Sequence, residues 1–337
     1  MPLKDGHVAI FSLQDDLHAL VIRKAMEERF GVTCSFIVTN GISGGGGLTW
    51  SGDGRFGPSL LTHSGNLIDV RSIDLIWWRR SNYWQVTPPE LKNPVDLDVI
   101  NNDCRESLLG LLLTQFRGTW VSEPNATRVA ENKLVQLRAA IDEGFRTPRT
   151  LVSQDPIQIR RFCSDLKNNV VVKAVKGTVK APVLTTRLNS ELLKHDTALK
   201  MSPAIYQELI PGNRHLRVQC FGGEVLAAMI ECDSLDWRPF LDSPAVPYEL
   251  PESTKQALCR ILRTLGLKMG VFDLKLDEHD EPIWLEVNPQ GQFLFVQGMS
   301  GLNLEEAFCH FLDVELDQAR QTRSHLKSGI SRAKSSP

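Results

Sequence analysis

Three oxygen-bearing side chains near the end of the chain have the types and the spacing of a metal site. Asp273 lies in one alternating apolar run, and Glu286 and Asn288 lie in a second run after a polar turn. Both runs alternate like strands, so a hairpin turned about residues 279–281 brings Asp273 across from the other two. Glu286 and Asn288 are two residues apart and point to the same face. Such hard oxygen ligands predict a Mg²⁺ site that also holds phosphate oxygens.

A competing interpretation is a solvated hairpin that carries ordinary surface acids. Trp284, Leu285 and Val287 surround the acids in sequence. An exposed hairpin does not need such large apolar residues, because they are normally placed where they can be buried. The pattern therefore favours the metal site.

Further polar residues upstream follow predicted elements in a fixed order. Lys133 stands at the start of a helix predicted over residues 131–143, with Leu134, Leu137 and Ile141 facing inward. Lys173 ends an apolar strand of three valines and precedes a loop that could close over phosphates. Another apolar strand runs to Ile210 and is broken by a Pro-Gly pair.

This order resembles the ATP-grasp superfamily, in which a nucleotide lies between two α+β lobes. It is more closely similar to the graspetide (microviridin-type) macrocyclases, which mature ribosomally made peptides. The likeness runs from about residue 7 to 313, and its matching stretches are residues 77–80, 131–137, 236–238, 272–275 and 286–293. The resemblance implies an ATP-grasp fold, with both α/β and α+β parts and an N-terminal pre-ATP-grasp α/β domain.

The resemblance also implies ATP as a cofactor and assigns residues to it. Lys133 and Lys173 would neutralise the α- and β-phosphate oxygens as point charges. The adenine would be held at a strand end, mostly through the backbone, by Gln207, Glu208, Leu209 and Ile210. One departure concerns the ribose: the resembling proteins usually carry an acid where this chain has His215, whose neutral ring can bond one hydroxyl but cannot accept two bonds.

The remaining roles concern the transferred phosphoryl group. Arg217 and Arg238 would face the γ-phosphate and an acyl phosphate, where bidentate guanidinium contacts fit. Asp273, Glu286 and Asn288 would hold Mg²⁺ between the β- and γ-phosphates. A solvated strand residue is the ordinary alternative for each arginine.

These parts predict activation of a carboxylate. The γ-phosphoryl group moves to a substrate carboxylate, and a hydroxyl or an amine then attacks the acyl phosphate, giving an ester or an amide. The preferred hypothesis is a macrocyclase that joins Asp or Glu side chains of a precursor peptide to Thr/Ser hydroxyls or Lys amines. Its leader segment is expected on the central lobe. The alternatives are a RimK-like ligase that adds amino acids, and a non-catalytic nucleotide-binding scaffold.

Composition sets broader limits on the partners. With 38 basic and 40 acidic residues, the net charge of −2 gives no argument for a nucleic-acid partner. Seven scattered cysteines without a C-x-x-C pair predict neither a zinc site nor a disulfide framework, and favour a reducing cytoplasm. No apolar run approaches a membrane span, and the first residues lack the apolar core of a signal peptide.

The chain length of 337 residues predicts two or three domains. We expect an N-terminal α/β domain at 1–122, a central lobe at 123–206 and a C-terminal lobe with the metal hairpin at 207–317. Residues 318–337 are basic and rich in serine, which predicts a disordered tail. Trp50 and Trp84 are candidate exposed aromatics, and the resemblance implies a homodimer.

Overall fold

The computed structural model describes residues 4–81, 84–178 and 183–334, with side chains from residue 6 to residue 323 within these ranges. The strands are β1 (Lys4–Ser12), β2 (Val32–Val38), β3 (Leu48–Thr49), β4 (Ser59–Leu61), β5 (Leu67–Asp69), β6 (Leu75–Trp78), β7 (Thr119–Val121), β8 (Thr150–Ser153), β9 (Val170–Ala174), β10 (Thr186–Arg187), β11 (Ala204–Glu208), β12 (Arg214–Phe221), β13 (Glu224–Glu231), β14 (Ala245–Tyr248), β15 (Met269–Leu276) and β16 (Pro282–Asn288). The helices are α1 (Leu17–Phe30), α2 (Pro94–Gln115), α3 (Pro124–Ala130), α4 (Lys133–Asp142), α5 (Pro156–Asp165), α6 (Asp196–Lys200), α7 (Glu252–Thr264), α8 (Leu294–Ser300) and α9 (Leu304–Lys334).

The first compact unit comprises the residues up to Glu123 together with those from Glu305 onward. Its main sheet has the order β2-β1-β6-β7, and all its pairs are parallel. The β1–α1–β2 crossover produces this arrangement, because α1 begins at the Asp16 cap and ends where Gly31 adopts a φ of 66°. A small antiparallel sheet of β3, β4 and β5 belongs to the same unit. The predicted N-terminal α/β organisation is therefore confirmed.

The end of the chain differs from the predicted disordered tail, because α9 continues through Lys334. Within the unit, Leu316 and Ala319 are buried, and the Arg323 guanidinium donates to the Asp74 carboxylate at 2.6 Å. The segment from residue 318 contains one glycine and no proline before residue 337, so nothing in the sequence stops a helix that is already anchored. The prediction weighed composition and missed this continuity. Residues 335–337 lie outside the described part of the chain.

The second compact unit spans Pro124–Leu304 and contains two sheets. One has the order β10-β9-β11-β8, and the other has the order β14-β13-β12-β15-β16. Residues 305–317, which we expected in the C-terminal lobe, belong to the first unit. The division of the remainder into a central and a C-terminal lobe stays a prediction.

The predicted metal hairpin is formed by β15 and β16, which pair in antiparallel fashion. Asp273 is the register partner of Glu286, and a bulge then shifts the pairing so that Leu274 faces Trp284. The bulged residue is Leu285, which lets Trp284 and Glu286 point to different faces although they are two residues apart. The Trp284 ring lies in the core near Phe272, with ring centroids 5.4 Å apart.

The hydrophobic core behind this sheet explains the orientation of α4. The helix buries Gln136, Ala139 and Ala140, whereas Leu134 and Ile141 are exposed. The predicted inward face was therefore wrong by part of a turn. Gln136 is buried because its amide accepts from the Val287 backbone and donates to the Ala130 carbonyl, which ties α4 to β16.

Within the described residues, no helix has the length and apolar composition that a membrane crossing needs. All seven cysteines lie in the described part of the chain and are free thiols.

We predict that Trp284→Ala lowers the free energy of unfolding of the second unit by about 3–5 kcal/mol, because it empties a fully buried aromatic site. Met201→Ala is the matched control: it lies in the same unit and is 78% exposed, so its effect should stay within about 0.5 kcal/mol. Urea denaturation followed by circular dichroism measures both. Equal destabilisation by the two variants would contradict this account of the core.

Candidate active site

An open cleft of about 220 Å³ lies in the second unit and collects six of the twelve predicted site residues. Both sheets of the unit contribute to it. The predicted residues among its lining are Lys133, Lys173, His215, Arg238, Asp273 and Glu286. Lys176 and Gly177, from the loop after β9, also line it. Residues 179–182 of that loop lie outside the described part of the chain.

Two carboxylates from neighbouring strands form the acidic centre of the cleft. Asp273 on β15 and Glu286 on β16 are direct register partners. Asp273 is mostly buried, and this burial together with the nearby Glu286 raises its pKa, although the Arg217 charge opposes the shift. Burial alone would raise the pKa of Glu286 as well, but the ammonium groups of Lys133 and Lys173 lower it to about 2. The Glu286 carboxylate is therefore ionised at neutral pH.

Each carboxylate has its own cation in this structure. The Arg217 guanidinium donates from Nη1 to both Asp273 oxygens, at 2.9 and 3.0 Å. The Lys133 ammonium pairs with the Glu286 carboxylate. Lys133 reaches it from the first residue of α4, which the Asn132 side chain caps by accepting from the Leu134 backbone. A local helix cap thus positions Lys133 of α4 beside a carboxylate on β16, a strand that is distant in sequence.

Asn288 is the predicted site residue that lies apart from the two acids. Its register partner is Val271, two residues before Asp273 on β15, and the Asn288 side chain is exposed. The amide oxygen accepts from the Gln290 backbone at 3.1 Å. The proposed three-ligand set is therefore present as two facing carboxylates and one amide on the adjoining row.

The chemistry of this donor set fits Mg²⁺. Among the described residues, no group of three or more His, Cys, Asp or Glu side chains could hold a metal ion. Mg²⁺ is usually held by one or two carboxylates, with phosphate oxygens and water completing six ligands. Two carboxylates beside lysines that suit phosphate match that pattern, whereas a site made entirely of protein ligands does not.

Lys173 is a basic residue of the cleft whose pKa is strongly lowered. It lies on β9 opposite Ile205 of β11. Burial lowers its pKa to about 8; Lys133 and Arg238 add repulsion, and Glu286 opposes the shift. Binding of an anionic ligand would stabilise the protonated form of Lys173, because the ligand would supply a counter-charge to an ammonium group that burial has removed from water.

Arg238 lines the cleft from the segment between β13 and β14. Its guanidinium donates from Nε to Asp236 at 2.7 Å, and the pair forms a second contact through Nη2. Burial would raise the pKa of Asp236, but the bonds and charge of Arg238 lower it. The Arg238 side chain is 47% exposed and reaches the cleft, whereas the Asp236 side chain that holds it is only 10% exposed.

Arg217 is held differently from Arg238, since it is almost fully buried. Besides Asp273, its Nη2 donates to the Gln292 carbonyl at 2.9 Å. The guanidinium carbon lies 5.8 Å from the Trp237 ring centroid and 6.0 Å from that of Phe295. These rings favour the cation and separate it from solvent.

The residues predicted for adenine lie at the end of β11. Gln207 is buried, donates to the Thr150 hydroxyl at 2.9 Å and lines a small cavity of about 20 Å³ beside Lys133 and Lys173. The Glu208 carboxylate accepts from the Arg149 backbone. The Leu209 backbone donates to the Asn169 carbonyl, and the Ile210 carbonyl accepts from Lys275 at 3.1 Å.

His215 lines the cleft, as its predicted role near a ligand requires, but it is buried. Burial, followed by the charge of Lys275, lowers its pKa to about 4. The ring is therefore neutral at physiological pH, and its Nε2 lies 3.3 Å from the Cys232 carbonyl oxygen.

Three features of the site were given no role by the sequence argument. Asp236 holds Arg238, Trp237 packs on Arg217, and the Gln292 carbonyl accepts from Arg217. The first two lie inside a stretch that the resemblance singled out, so the signal for them was present. The third is a backbone contact, which side-chain types cannot reveal.

We predict that nucleotide affinity falls as pH rises above 8, because an anionic phosphate binds the protonated form of Lys173, whose pKa is about 8. The fall should approach about tenfold per pH unit, since each unit removes one decade of the ammonium form. Calorimetric titration with ATP from pH 7 to 9.5 measures it. Lys173→Arg keeps its charge over this range and should flatten the profile. A wild-type affinity that is constant from pH 7 to 9.5 would exclude Lys173 as a phosphate ligand.

Comparison by sequence and comparison by structure give different results for this chain. No protein-family model and no curated protein matches the chain. Solved structures, in contrast, match over nearly the whole chain.

Three of these structures are informative. The macrocyclase MdnC bound with precursor peptide MdnA, from Microcystis aeruginosa MRC, has a TM-score of 0.81 at 23% identity, covering 91% of this chain and 99% of that one. A Chryseobacterium gregarium RiPP-associated ATP-grasp ligase, in complex with ADP and a leader and core peptide, has a TM-score of 0.79 at 20% identity, covering 93% and 97%. The ATP-grasp ligase PsnB, complexed with a phosphomimetic variant of minimal precursor, Mg and ADP, has a TM-score of 0.73 at 20% identity, covering 92% and 99%.

At these identities the likeness concerns the fold, and it extends from end to end of the matched chains. The fold expected from the order of the motifs is confirmed: this chain has the fold of the ATP-grasp ligases.

Proposed function

We propose that the chain is an ATP-dependent, ADP-forming carboxylate ligase that macrocyclises a ribosomally made precursor peptide. The observation that carries the proposal is the pair of facing carboxylates, Asp273 and Glu286, set among basic side chains in one cleft. This arrangement suits a metal-bound polyphosphate better than a neutral substrate.

Each part of the site has a stated task in this proposal. Asp273, Glu286 and Asn288 would hold Mg²⁺, which when bound offsets the charge of the β- and γ-phosphates. Lys133 and Lys173 would bind the α- and β-phosphate oxygens. Both lysines already lie beside Glu286, so the phosphates and the metal ligands would be adjacent.

The arginines would act where charge changes during the reaction. Arg238 lines the cleft from its contact with Asp236, and Arg217 lies between Asp273 and the rings that shield it from water. Both would stabilise the phosphoryl group as it moves to a substrate carboxylate and the acyl phosphate that results. No protein nucleophile is needed, because the attacking hydroxyl or amine belongs to the substrate.

Adenine and ribose would lie at the β11 end of the cleft. Gln207, Glu208, Leu209 and Ile210 would hold the base, mostly through the backbone, with Leu209 and Ile210 packed on the purine. The neutral His215 would offer the ribose a single hydrogen bond in place of the two that an acid accepts.

A peptide substrate is supported by what the similar structures contain. Their names record precursor, leader and core peptides bound to MdnC, PsnB and the Chryseobacterium ligase. We propose the same class of partner here: Asp or Glu side chains would be joined to Thr/Ser hydroxyls or Lys amines. A RimK-like ligase that adds amino acids is the second candidate, because it would need the same nucleotide site.

We further propose a homodimer and a reducing, cytoplasmic setting. The indoles of Trp50 and Trp84 in the first unit are exposed, which supports an interface there. Seven free thiols are compatible with a reducing compartment.

The metal assignment gives the first test of this proposal. Asp273→Asn and Glu286→Gln should each lower the ATP turnover rate by at least about 100-fold, because loss of one carboxylate weakens a metal that stabilises the transferring phosphoryl group. Asn288→Ala should lower it less, since its amide lies on the adjoining row. Phosphate release with a precursor peptide measures turnover, and Asp280→Asn on the exposed hairpin turn is the control. Near-normal turnover in both carboxylate variants would contradict the assignment.

The products give the second test. Each bond formed should remove one water from the peptide, about 18 Da, and release one ADP and one phosphate, because the activated carboxylate is an acyl phosphate. Mass spectrometry of a co-expressed precursor measures the loss. Mass gains equal to amino-acid residues would favour the RimK-like candidate, and release of AMP and pyrophosphate would contradict both.

A further inference from the structure

Arg217 occupies one of the proposed metal ligands. Its Nη1 donates to both oxygens of Asp273, so a metal ion on that carboxylate would lie close to the guanidinium charge, although each oxygen keeps a second lone pair. Charge repulsion therefore favours a displacement of the guanidinium when a metal ion binds. Since Arg217 is only 5% exposed, an internal position for it is favoured over one in solvent.

The same face of the sheet carries an amide with no hydrogen-bond partner. Gln219 lies on β12 two residues beyond Arg217 and is 0% exposed. Among the described residues, neither its amide oxygen nor its amide nitrogen has a partner. The Nε atom of Arg217 is also buried without a partner. A buried amide that is left unpaired destabilises a protein, so its presence beside an unpaired donor calls for a physical reason.

The register of the sheet places these groups within reach of each other. Residues two apart on a strand share a face at about 6.8 Å between Cα atoms. In the cross-strand rows, Arg217 pairs with Asp273 and Gln219 pairs with Val271, whose other partner is Asn288. The side chains of Arg217 and Gln219 are both long enough to span one row.

The cover over Gln219 is closely packed, which limits what else could reach its amide. A Cβ atom on Gly291 would approach the Val271 Cβ at 2.5 Å, so the backbone at Gly291 packs against Val271. Val271 is the register partner of Gln219, so this backbone also lies next to Gln219. Phe293, from the same segment, packs against Phe221 with ring centroids 5.2 Å apart. The Gln292 carbonyl already accepts from Arg217. Gln219 is thus enclosed on the side of the sheet where Arg217 lies.

We propose that Gln219 is a positioning residue that receives Arg217 when a metal ion takes Asp273. In the metal-free protein, Arg217 neutralises Asp273. In the metal-bound protein, the Gln219 amide oxygen accepts from Arg217 Nε and the Gln292 carbonyl keeps its bond to Nη2, which leaves the Nη1 edge directed at the transferring phosphoryl group. This inference rests on the proposed metal pair and adds a residue that the site argument did not include.

A double-mutant cycle on metal binding tests the proposal. Mn²⁺ is titrated into the full chain without nucleotide or peptide and followed by electron paramagnetic resonance, for the wild type, Gln219→Leu, Arg217→Met and the double variant. Gln219→Leu should weaken Mn²⁺ binding about tenfold, because the displaced arginine loses a charge-assisted hydrogen bond. Arg217→Met should tighten it, because Asp273 no longer has a competing cation. In the Arg217→Met background, Gln219→Leu should change nothing.

Several outcomes would overturn the proposal: equal weakening by Gln219→Leu in both backgrounds, no weakening in the wild-type background, or no Mn²⁺ binding to the wild type at millimolar concentration. Thermal unfolding without metal checks that each variant folds, and Gln219→Met is used if the leucine variant does not. Gln256→Leu, on an exposed helix face, is the matched control. Asp273→Asn separates the two proposals: unchanged Mn²⁺ binding would sink the metal pair itself, whereas coupling without peptide cyclisation would leave this inference standing.

Discussion

The second unit depends on neutralising two carboxylates that the sheet places side by side. Asp273 and Glu286 face each other across β15 and β16, where two negative charges at low solvent exposure repel strongly. Arg217 on one acid and Lys133 on the other remove this repulsion. The pKa values show the remaining asymmetry: that of Glu286 is lowered to about 2, whereas that of Asp273 is raised. Of the two carboxyl groups, Asp273 is therefore the one whose ionised form is stabilised less by its surroundings.

This arrangement rests on a single backbone irregularity. Without the bulge at Leu285, either Trp284 would leave the core or Glu286 would leave the cleft, because strand residues two apart share a face. The bulge lets the apolar set of β16 pack with Phe272 and Phe145 while the acid stays opposite Asp273. Core packing and site geometry are thus fixed by the same residue. The Gln136 bond to the Val287 backbone holds the strand just beyond it.

The sequence predicted those parts of the site whose signal is local. Alternation and turn residues were sufficient for the hairpin and for the pairing of Asp273 with Glu286, and the order of motifs was sufficient for the fold. It failed where one element is oriented by another: α4 turns toward Gln136 and its alanines because Gln136 bonds the Val287 and Ala130 backbones. It also failed for α9, because composition does not report where an anchored helix stops. The unpaired Nε atom of Arg217 and the unpaired amide of Gln219 were out of reach as well, since these three buried atoms are visible only in three dimensions.

The side chains that line the cleft favour anionic ligands, although the net charge of the whole chain is −2. Among the described residues that line the cleft, four basic side chains face three carboxylates, and His215 is neutral. Burial lowers the pKa of Lys173, because it destabilises the charged ammonium, and a bound anion would offset that destabilisation. Each lysine or arginine that leaves a carboxylate for a phosphate must be replaced there by another cation. A polyphosphate bound without a divalent metal would therefore leave Asp273 and Glu286 without a counter-charge. A metal bound without phosphate would leave the charge of Lys133 unmatched, even with Arg217 received by the Gln219 amide, and would bind more weakly than it does with phosphate. On charge balance, each ligand would therefore strengthen the binding of the other.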